Sequence, residues 1–383
     1  SIIWIRNQHR YQCMSEFIDT KKPFSGLSAL LYIDAKLVIP IMIITLIGLV
    51  TIFSSSSGDL NLVLKQLTRI MIGIITMILI AQVNPDNLKL FAPILYLFTV
   101  FLLALVLLFG VGNTADRWLD LYIIRFQPSE LMKILVPLML ATFYADKPLP
   151  PKVTYILIAI LIVLIPVFMI MRQPDLGTAL LIGMSGAIAI LLAGMSFRFF
   201  LAGVFSAASL IPILWLSMHQ YQKQRVLTFF NPESDPMGSG YQLMQSKIAL
   251  GSGGFFGKGF FNGSQSKLGF VPERSTDFIF TAFGEEFGYL GVIILMSMYL
   301  FIALRGLSIS IKATDNFGRI LTGTLSLTIF VYVLVNVGMV IGFLPVVGAP
   351  LPFMSYGGTS MVTLFATIGM IMSVKSHQRI LRK

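Results

Sequence analysis

The chain has 383 residues, 56% of them hydrophobic and only 12% charged, and its mean hydropathy of +0.84 lies far above that of soluble globular proteins. That excludes a soluble domain, and a lone cysteine, Cys13, excludes an intrachain disulfide or a zinc site built from several cysteines. The formal charge of +11 comes without a basic cluster interleaved with an aromatic platform, so nucleic acid is not an expected partner. Basic cytoplasmic loops beside anionic lipid account for the charge.

Residues 1–36 are polar and mixed rather than a short apolar run ending in a small-residue cleavage site, so the first apolar helix is expected to target the membrane itself. Met14 has the look of a conventional start, and residues 1–13 are given no function. A membrane-crossing helix needs roughly 20 apolar residues. Apolar runs bounded by charge, Pro or Gly fall at 37–53, 67–83, 91–111, 131–145, 155–171, 176–195, 199–218, 278–304, 320–343 and 354–374. The expected fold is all-α: a polytopic bundle of about ten helices over 37–374, with tails 1–36 and 375–383 on one side. A large outward loop, 219–277, joins helices seven and eight. With the N-terminus inside, the inward segments hold 16 of the 28 Lys and Arg in about 80 residues, twice the outward density. Both termini are therefore expected in the cytoplasm. The three histidines, His9, His219 and His377, are too scattered to form a metal cluster.

Two outward loops, 112–130 and 219–277, are too long to be mere connectors. The first ends in Phe126-Gln-Pro-Ser-Glu-Leu-Met-Lys133, where Pro128 and Ser129 mark a helix start and Glu130 and Lys133 are neighbours on one face. A Lys in a first turn is disfavoured by the helix dipole. Either Glu130 satisfies it, or Lys133 joins Arg117 and Arg125 in neutralising an anionic ligand. The second loop holds Gly251-Ser-Gly-Gly-Phe-Phe-Gly-Lys-Gly259, which fails as a Walker A loop because Ser252 and Gly259 occupy its Gly and Ser/Thr places. Its glycines permit tight turns and close backbone approach to helix ends, or form an anion cradle flanked by Lys258.

Asp277 ends that loop and opens the eighth span. It reads either as a helix N-cap or as a partly desolvated carboxylate whose proton affinity rises toward that of a general base. Thr281 and Glu285 follow at i+4 and i+8 on the same face, with Glu286 nearly opposite. Carboxylates at that depth face a bundle interior or wet cavity, as structural ion pairs or as site groups. Asn336 and Tyr332, inside the ninth span, read as interhelical hydrogen-bonding residues.

Along nearly its whole length the chain resembles the SEDS family of bacterial cell-wall proteins. The resemblance rests on Arg117-Trp-Leu, Phe126 to Lys133, Gln173-Pro-Asp-Leu-Gly-Thr178, Asn231 to Tyr241, Gln245 to Gly254, Pro272-Glu-Arg-Ser-Thr-Asp-Phe-Ile-Phe280 and Pro350-Leu-Pro-Phe-Met-Ser-Tyr-Gly-Gly358. Gly342 to Pro352 and the Pro-Glu-Arg before Ser275 are similar to the RodA branch, which serves side-wall elongation and rod shape. A departure is Phe283-Gly-Glu-Glu-Phe-Gly288, where the family more often has Ala-Glu-Glu-Leu-Gly. The resemblance implies a peptidoglycan glycosyltransferase that polymerises lipid II at the outer face of the bacterial inner membrane, with Asp277 as the catalytic aspartate. It also implies a class B penicillin-binding protein as partner, within an elongation complex. Arg117, Arg125, Lys133, Lys247 and Arg274 are the candidate cations for the leaving pyrophosphate, with Glu130 and Glu285 as further substrate-site candidates. A divalent cation held by Asp277 or Glu130 is an alternative neutraliser. The rival readings are a lipid II flippase and a division-type polymerase.

Overall fold

A computed structural model describes residues 32–110, 117–120, 125–209, 220–235, 238–267 and 273–377, with isolated positions between 212 and 218. Most of the two expected tails and the side chain of Arg125 lie outside the described residues.

The chain forms helices α1 (Ala35–Ser55), α2 (Leu60–Gln82), α3 (Pro85–Phe109), α4 (Pro128–Ala145), α5 (Val153–Arg172), α6 (Leu176–Leu192) and α7 (Phe197–Ser209). They continue as α8 (Gln220–Phe230), α9 (Ser239–Ser252), the short α10 (Ser264–Lys267), α11 (Ile279–Lys312), α12 (Asn316–Ile341) and α13 (Thr359–His377). A two-residue antiparallel pairing, β1 (Leu119–Asp120) with β2 (Arg125–Phe126), closes the loop before α4.

Capping residues set several starts. The Asp34 carboxylate accepts from the Lys36 amide, Asp59 from Asn61 and Leu62, and Asn84 from Asp86, each satisfying amides that a helix start leaves orphaned. These caps explain why α2 and α3 begin six or seven residues before the apolar runs: polar residues at a membrane surface still extend a capped helix.

Among the described residues, seven helices, α1, α2, α3, α5, α11, α12 and α13, are long and apolar enough to cross a membrane, and α6 is a shorter apolar helix. α2 packs on α13, α11 on α12 and α1, α3 on α4, and α5 on α6, while α12 also contacts α6 and α4. α12 and α13 are the most enclosed. Elsewhere, large apolar side chains such as Leu79, Leu90, Leu97 and Leu108 stand exposed along α2 and α3. A continuous apolar exterior of this kind suits lipid rather than water, and the chain is a multi-pass membrane protein.

One expectation is corrected here. The run 354–374 does not start as helix: α13 begins at Thr359, and Leu351–Ser355 is a buried loop whose Phe353 has φ 61°. The outward stretch after 219, whose fold the sequence left open, contains α8, α9 and α10, with α9 packed on α11 and α12.

Candidate active site

Asp277 lies in the turn 273–278, and helix α11 starts one residue later than an Asp277 cap requires. Phe278 occupies the cap position, and no side chain caps the helix. The carboxylate is thus not consumed by the helix start, which removes the N-cap reading. Donors from elsewhere hold the turn instead. Tyr356 N–H bonds to Ser275 O (2.8 Å), Ser355 Oγ to Thr276 O (2.7 Å) and Asn336 Nδ2 to Asp277 O (2.8 Å). Asn336 also donates to Ala349 O (2.6 Å), so α12 bridges the turn and the 345–352 loop.

The Asp277 carboxylate faces that loop at Gly348, where a Cβ would lie 3.2 Å from Oδ2. Gly348 has φ +73°, a left-handed conformation disfavoured for residues with a side chain. Burial raises the Asp277 pKa to about 6; the Glu273 and Asp175 carboxylates push the same way, against Arg225 and Lys133. No cation among the described residues reaches ion-pair distance of it.

Two clefts are lined by the stretches on either side of Gly348. One is lined by Arg117, Asp175, Gln222, Arg225 and Pro345–Val347; the other by Glu130, Lys133, Thr328, Tyr332, Ala349 and Pro350. In the first, Arg117 donates to Pro174 O (2.7 Å) and stands 3.7 Å from Asp175 Oδ1. Asp175 also caps α6 by accepting from Thr178 N–H (3.2 Å) and receives Gln127 Nε2 (3.3 Å). Arg225 Nη1 reaches Val346 O (3.3 Å). In the second, Lys133 and Glu130 pair at 2.7 Å, with the ammonium 5.4 Å from the centre of the Tyr332 ring.

The candidate residues therefore divide. Arg117, Glu130 and Lys133 line the clefts beside Asp277, and Arg274 shares its turn. Lys247, on α9, is exposed and packs toward Gly342, where a Cβ would meet its Nζ at 2.6 Å. Glu285 is engaged elsewhere. Fully buried about 12 Å along the helix from Asp277, it accepts from Lys258 Nζ (2.7 Å), Ser264 Oγ (3.2 Å) and the Gln265 amide (2.9 Å). It is a structural ion pair. Ser54 Oγ hydrogen-bonds Glu286, and Thr281 Oγ1 bonds Ser246 Oγ at 2.8 Å.

The glycine-rich segment does what close backbone approach predicts. α11 is broken at Gly288 (φ 65°, ψ −167°). Across the break, the Lys258 and Gly259 amides donate to Glu285 O and Glu286 O, while Tyr289 and Leu290 amides donate to Gly254 O and Phe255 O. A Cβ at Gly253, Gly257 or Gly288 would collide with opposing backbone. No amide nest for an anion is needed to explain these residues.

Of the two carboxylates considered for a divalent cation, Glu130 is engaged by Lys133 at 2.7 Å, and among the described residues no three His, Cys, Asp or Glu side chains converge as a metal site. Sequence reasoning left Asp175, Arg225, Ser355 and Gln66 without roles. Asp175 and Ser355 lie within recognised motifs, but only the fold brings them to Asp277.

This architecture is matched from end to end by known proteins. A family model for the FtsW/RodA/SpoVE cell cycle proteins matches residues 34–380. The chain belongs to this family. Among its FtsW/RodA/SpoVE relatives, the peptidoglycan glycosyltransferase MrdB of Escherichia coli K12 is 44% identical over 354 residues, 92% of this chain and 96% of the relative. Stage V sporulation protein E of Bacillus subtilis is 32% identical over 362 residues, 90% of this chain and 98% of the relative. Of solved structures, one from a study of polymerization and crosslinking by a peptidoglycan synthase complex superposes with a TM-score of 0.79 at 29% identity, covering 90% of this chain and 98% of that chain. The crystal structure of Thermus thermophilus RodA gives 0.69 at 26% identity, covering 90% and 97%.

Proposed function

We propose that this family member is a peptidoglycan glycosyltransferase of the elongation type, polymerising lipid II at the outer face of the bacterial inner membrane. Its relatives' names support the activity. The single observation that carries the mechanism is the position of Asp277, a carboxylate of raised proton affinity with no ion-pair partner among the described residues, facing Gly348 between the stretches 345–347 and 349–350 that line the two clefts.

In this reading the heads of the two lipid-anchored substrates bind along the outward face that carries Asp277 and the cations beside it. The acceptor sugar's 4-hydroxyl attacks the donor's anomeric carbon with inversion. Asp277 takes the hydroxyl proton as the new C–O bond forms, and the anomeric C–O bond to phosphate breaks to release undecaprenyl pyrophosphate. A positioned base supplies on the order of 10²–10⁴ in rate. Alignment of the two substrates and the field of Arg117, Arg225 and Lys133 on the departing pyrophosphate supply the rest. Arg125 and Arg274 belong to the same outward face. The denser inward Lys and Arg support a reading with both termini in the cytoplasm and the clefts in the periplasm. The structural match to a synthase complex that couples polymerisation to crosslinking supports a class B penicillin-binding protein as partner.

The test is glycan synthesis from lipid II by the purified chain with such a partner, comparing wild type with Asp277→Asn. Loss of polymer at normal protein yield is expected. Undiminished polymer sinks the base assignment, and lipid II crossing vesicle leaflets without polymer favours transport.

A further inference from the structure

The loop 349–358 is bonded to the 273–278 turn and to α2, α11 and α12. Ser355 is its centre. Its buried hydroxyl donates to Thr276 O (2.7 Å) and accepts from the Leu351 amide (2.8 Å), so both of its hydrogen-bonding directions are fixed. The next amide, Tyr356, holds Ser275 O at 2.8 Å. The loop is in turn braced from α2. Gln66, 1% exposed, donates from Nε2 to Ser355 O (3.2 Å) and accepts the Gly357 amide at Oε1 (3.3 Å), embracing Ser355 and Tyr356 from both sides. One turn further on, the Arg69 guanidinium lies over the Tyr356 ring at 4.4 Å. From α11, Tyr299 hydroxyl donates to Pro352 O at 2.5 Å.

These bonds go to backbone carbonyls, and that choice has a chemical consequence. If the carbonyls of Ser275 and Thr276 were free, the turn could wind on as helix, and Asp277 would fall into the α11 ladder or cap it. Held outward, they leave the carboxylate directed at Gly348. A buried glutamine with both ends of its amide satisfied by one loop is a costly group to place in a membrane helix, and its bonding here serves nothing but that loop.

We propose that Ser355, braced by Gln66, is a positioning residue for the Asp277 base. The proposal rests on the reading of Asp277 as base. Ser355 touches neither substrate nor reacting atoms; it acts by fixing the backbone from which the carboxylate projects, and displacements of about 1 Å at such a group are worth up to 10²-fold in rate.

The experiment measures lipid II polymerisation by the full chain with its penicillin-binding partner, for Ser355→Ala, Ser355→Thr and Gln66→Leu, each also in an Asp277→Asn background. The expected result is a fall in kcat of roughly 10- to 100-fold for Ser355→Ala with KM for lipid II nearly unchanged, and a displaced acid limb in the pH profile. Ser355→Thr, which keeps the hydroxyl, restores both, and Gln66→Leu reproduces the defect in smaller measure. In the Asp277→Asn background the second substitution removes no further activity, because the group it positions is gone. An acid limb identical to wild type, or the same loss in both backgrounds, overturns the positioning role. If Ser355→Ala does not fold, Gln66→Leu decides by the same two readouts. Full activity of Asp277→Asn itself would instead remove the base reading and the positioning role together, whereas an inactive Asp277→Asn beside a normal Ser355→Ala removes only the latter.

Discussion

Two aspartates sit at the two ends of the bundle and behave in opposite ways. Asp34, 3% exposed before α1, takes Arg305 Nη2 at 2.9 Å and Lys375 Nζ at 2.6 Å. Burial pushes its proton affinity up, but the direct contacts of Lys375 and Arg305 outweigh it and hold the carboxyl below the usual range. Asp277 also has two cations nearby, Arg225 and Lys133, yet neither touches it, and burial prevails to raise it to about 6. Contact, rather than burial or the count of nearby charges, separates a carboxylate that fastens helices from one able to take a proton.

The sharpest way to break this contrast is to remove each charge. Asp277→Asn is expected to lower glycan synthesis by roughly 10²–10⁴, read as polymer from lipid II. Asp34→Asn removes the carboxylate that Arg305 and Lys375 share and is expected to cost about 3 kcal/mol, measured by thermal unfolding in detergent. The activity of the folded fraction should stay within about twofold of wild type, since nothing at that end touches the clefts.

The pH dependence should differ in sign. Between about pH 4 and 6 the folded chain holds a proton on Asp277 that the unfolded chain has lost, so this group's contribution to stability falls as pH rises through that window. Asp34 contributes stability above the ordinary carboxylate pKa and loses it as pH falls through its own depressed value. Asp277→Asn should therefore stabilise the protein at pH 7 by about 1–2 kcal/mol and lose that advantage at pH 4. Wild-type polymerisation should rise with pH through about 6, where an ordinary aspartate would give a limb near 4.

Smaller effects sharpen the comparison further. Gly348→Ala combines positive φ with a Cβ against the Asp277 carboxylate; about 1–2 kcal/mol of stability and a clear rate loss are expected. At the bottom of the scale, Lys89→Ala breaks a pair whose Asp146 partner is 78% exposed, and unfolding should move by less than about 0.5 kcal/mol.

Much of this was legible in the residues. Apolar run length identified the bundle, Glu130–Lys133 declared itself by i,i+3 spacing, and Asp277 stood out at a span entrance. What escaped has a common cause. Arg225 and Asp175 are ordinary loop charges until the fold brings them from segments 50 and more residues apart to the same carboxylate. The loop around Ser355 was read as helix because Phe353 and Met354 are as apolar as a span, and hydropathy does not register that a buried loop can satisfy its backbone against Asn336, Gln66 and the 273–278 turn. Glu285 looked like a site residue because its helical face is shared with Asp277, whereas its partner Lys258 arrives from a strap that periodicity does not reveal.

That strap, 253–259, has the outline of a loop, but two of its carbonyls accept from α11 amides on one side of the Gly288 break and two of its amides donate to α11 carbonyls on the other. Amides of Lys258, Gly259, Tyr289 and Leu290 should therefore exchange with deuterated solvent as slowly as those inside a helix. The outer third of α11 is then laced to a neighbouring segment more than to its own continuation, so it should open and close together with that segment as one cooperative unit.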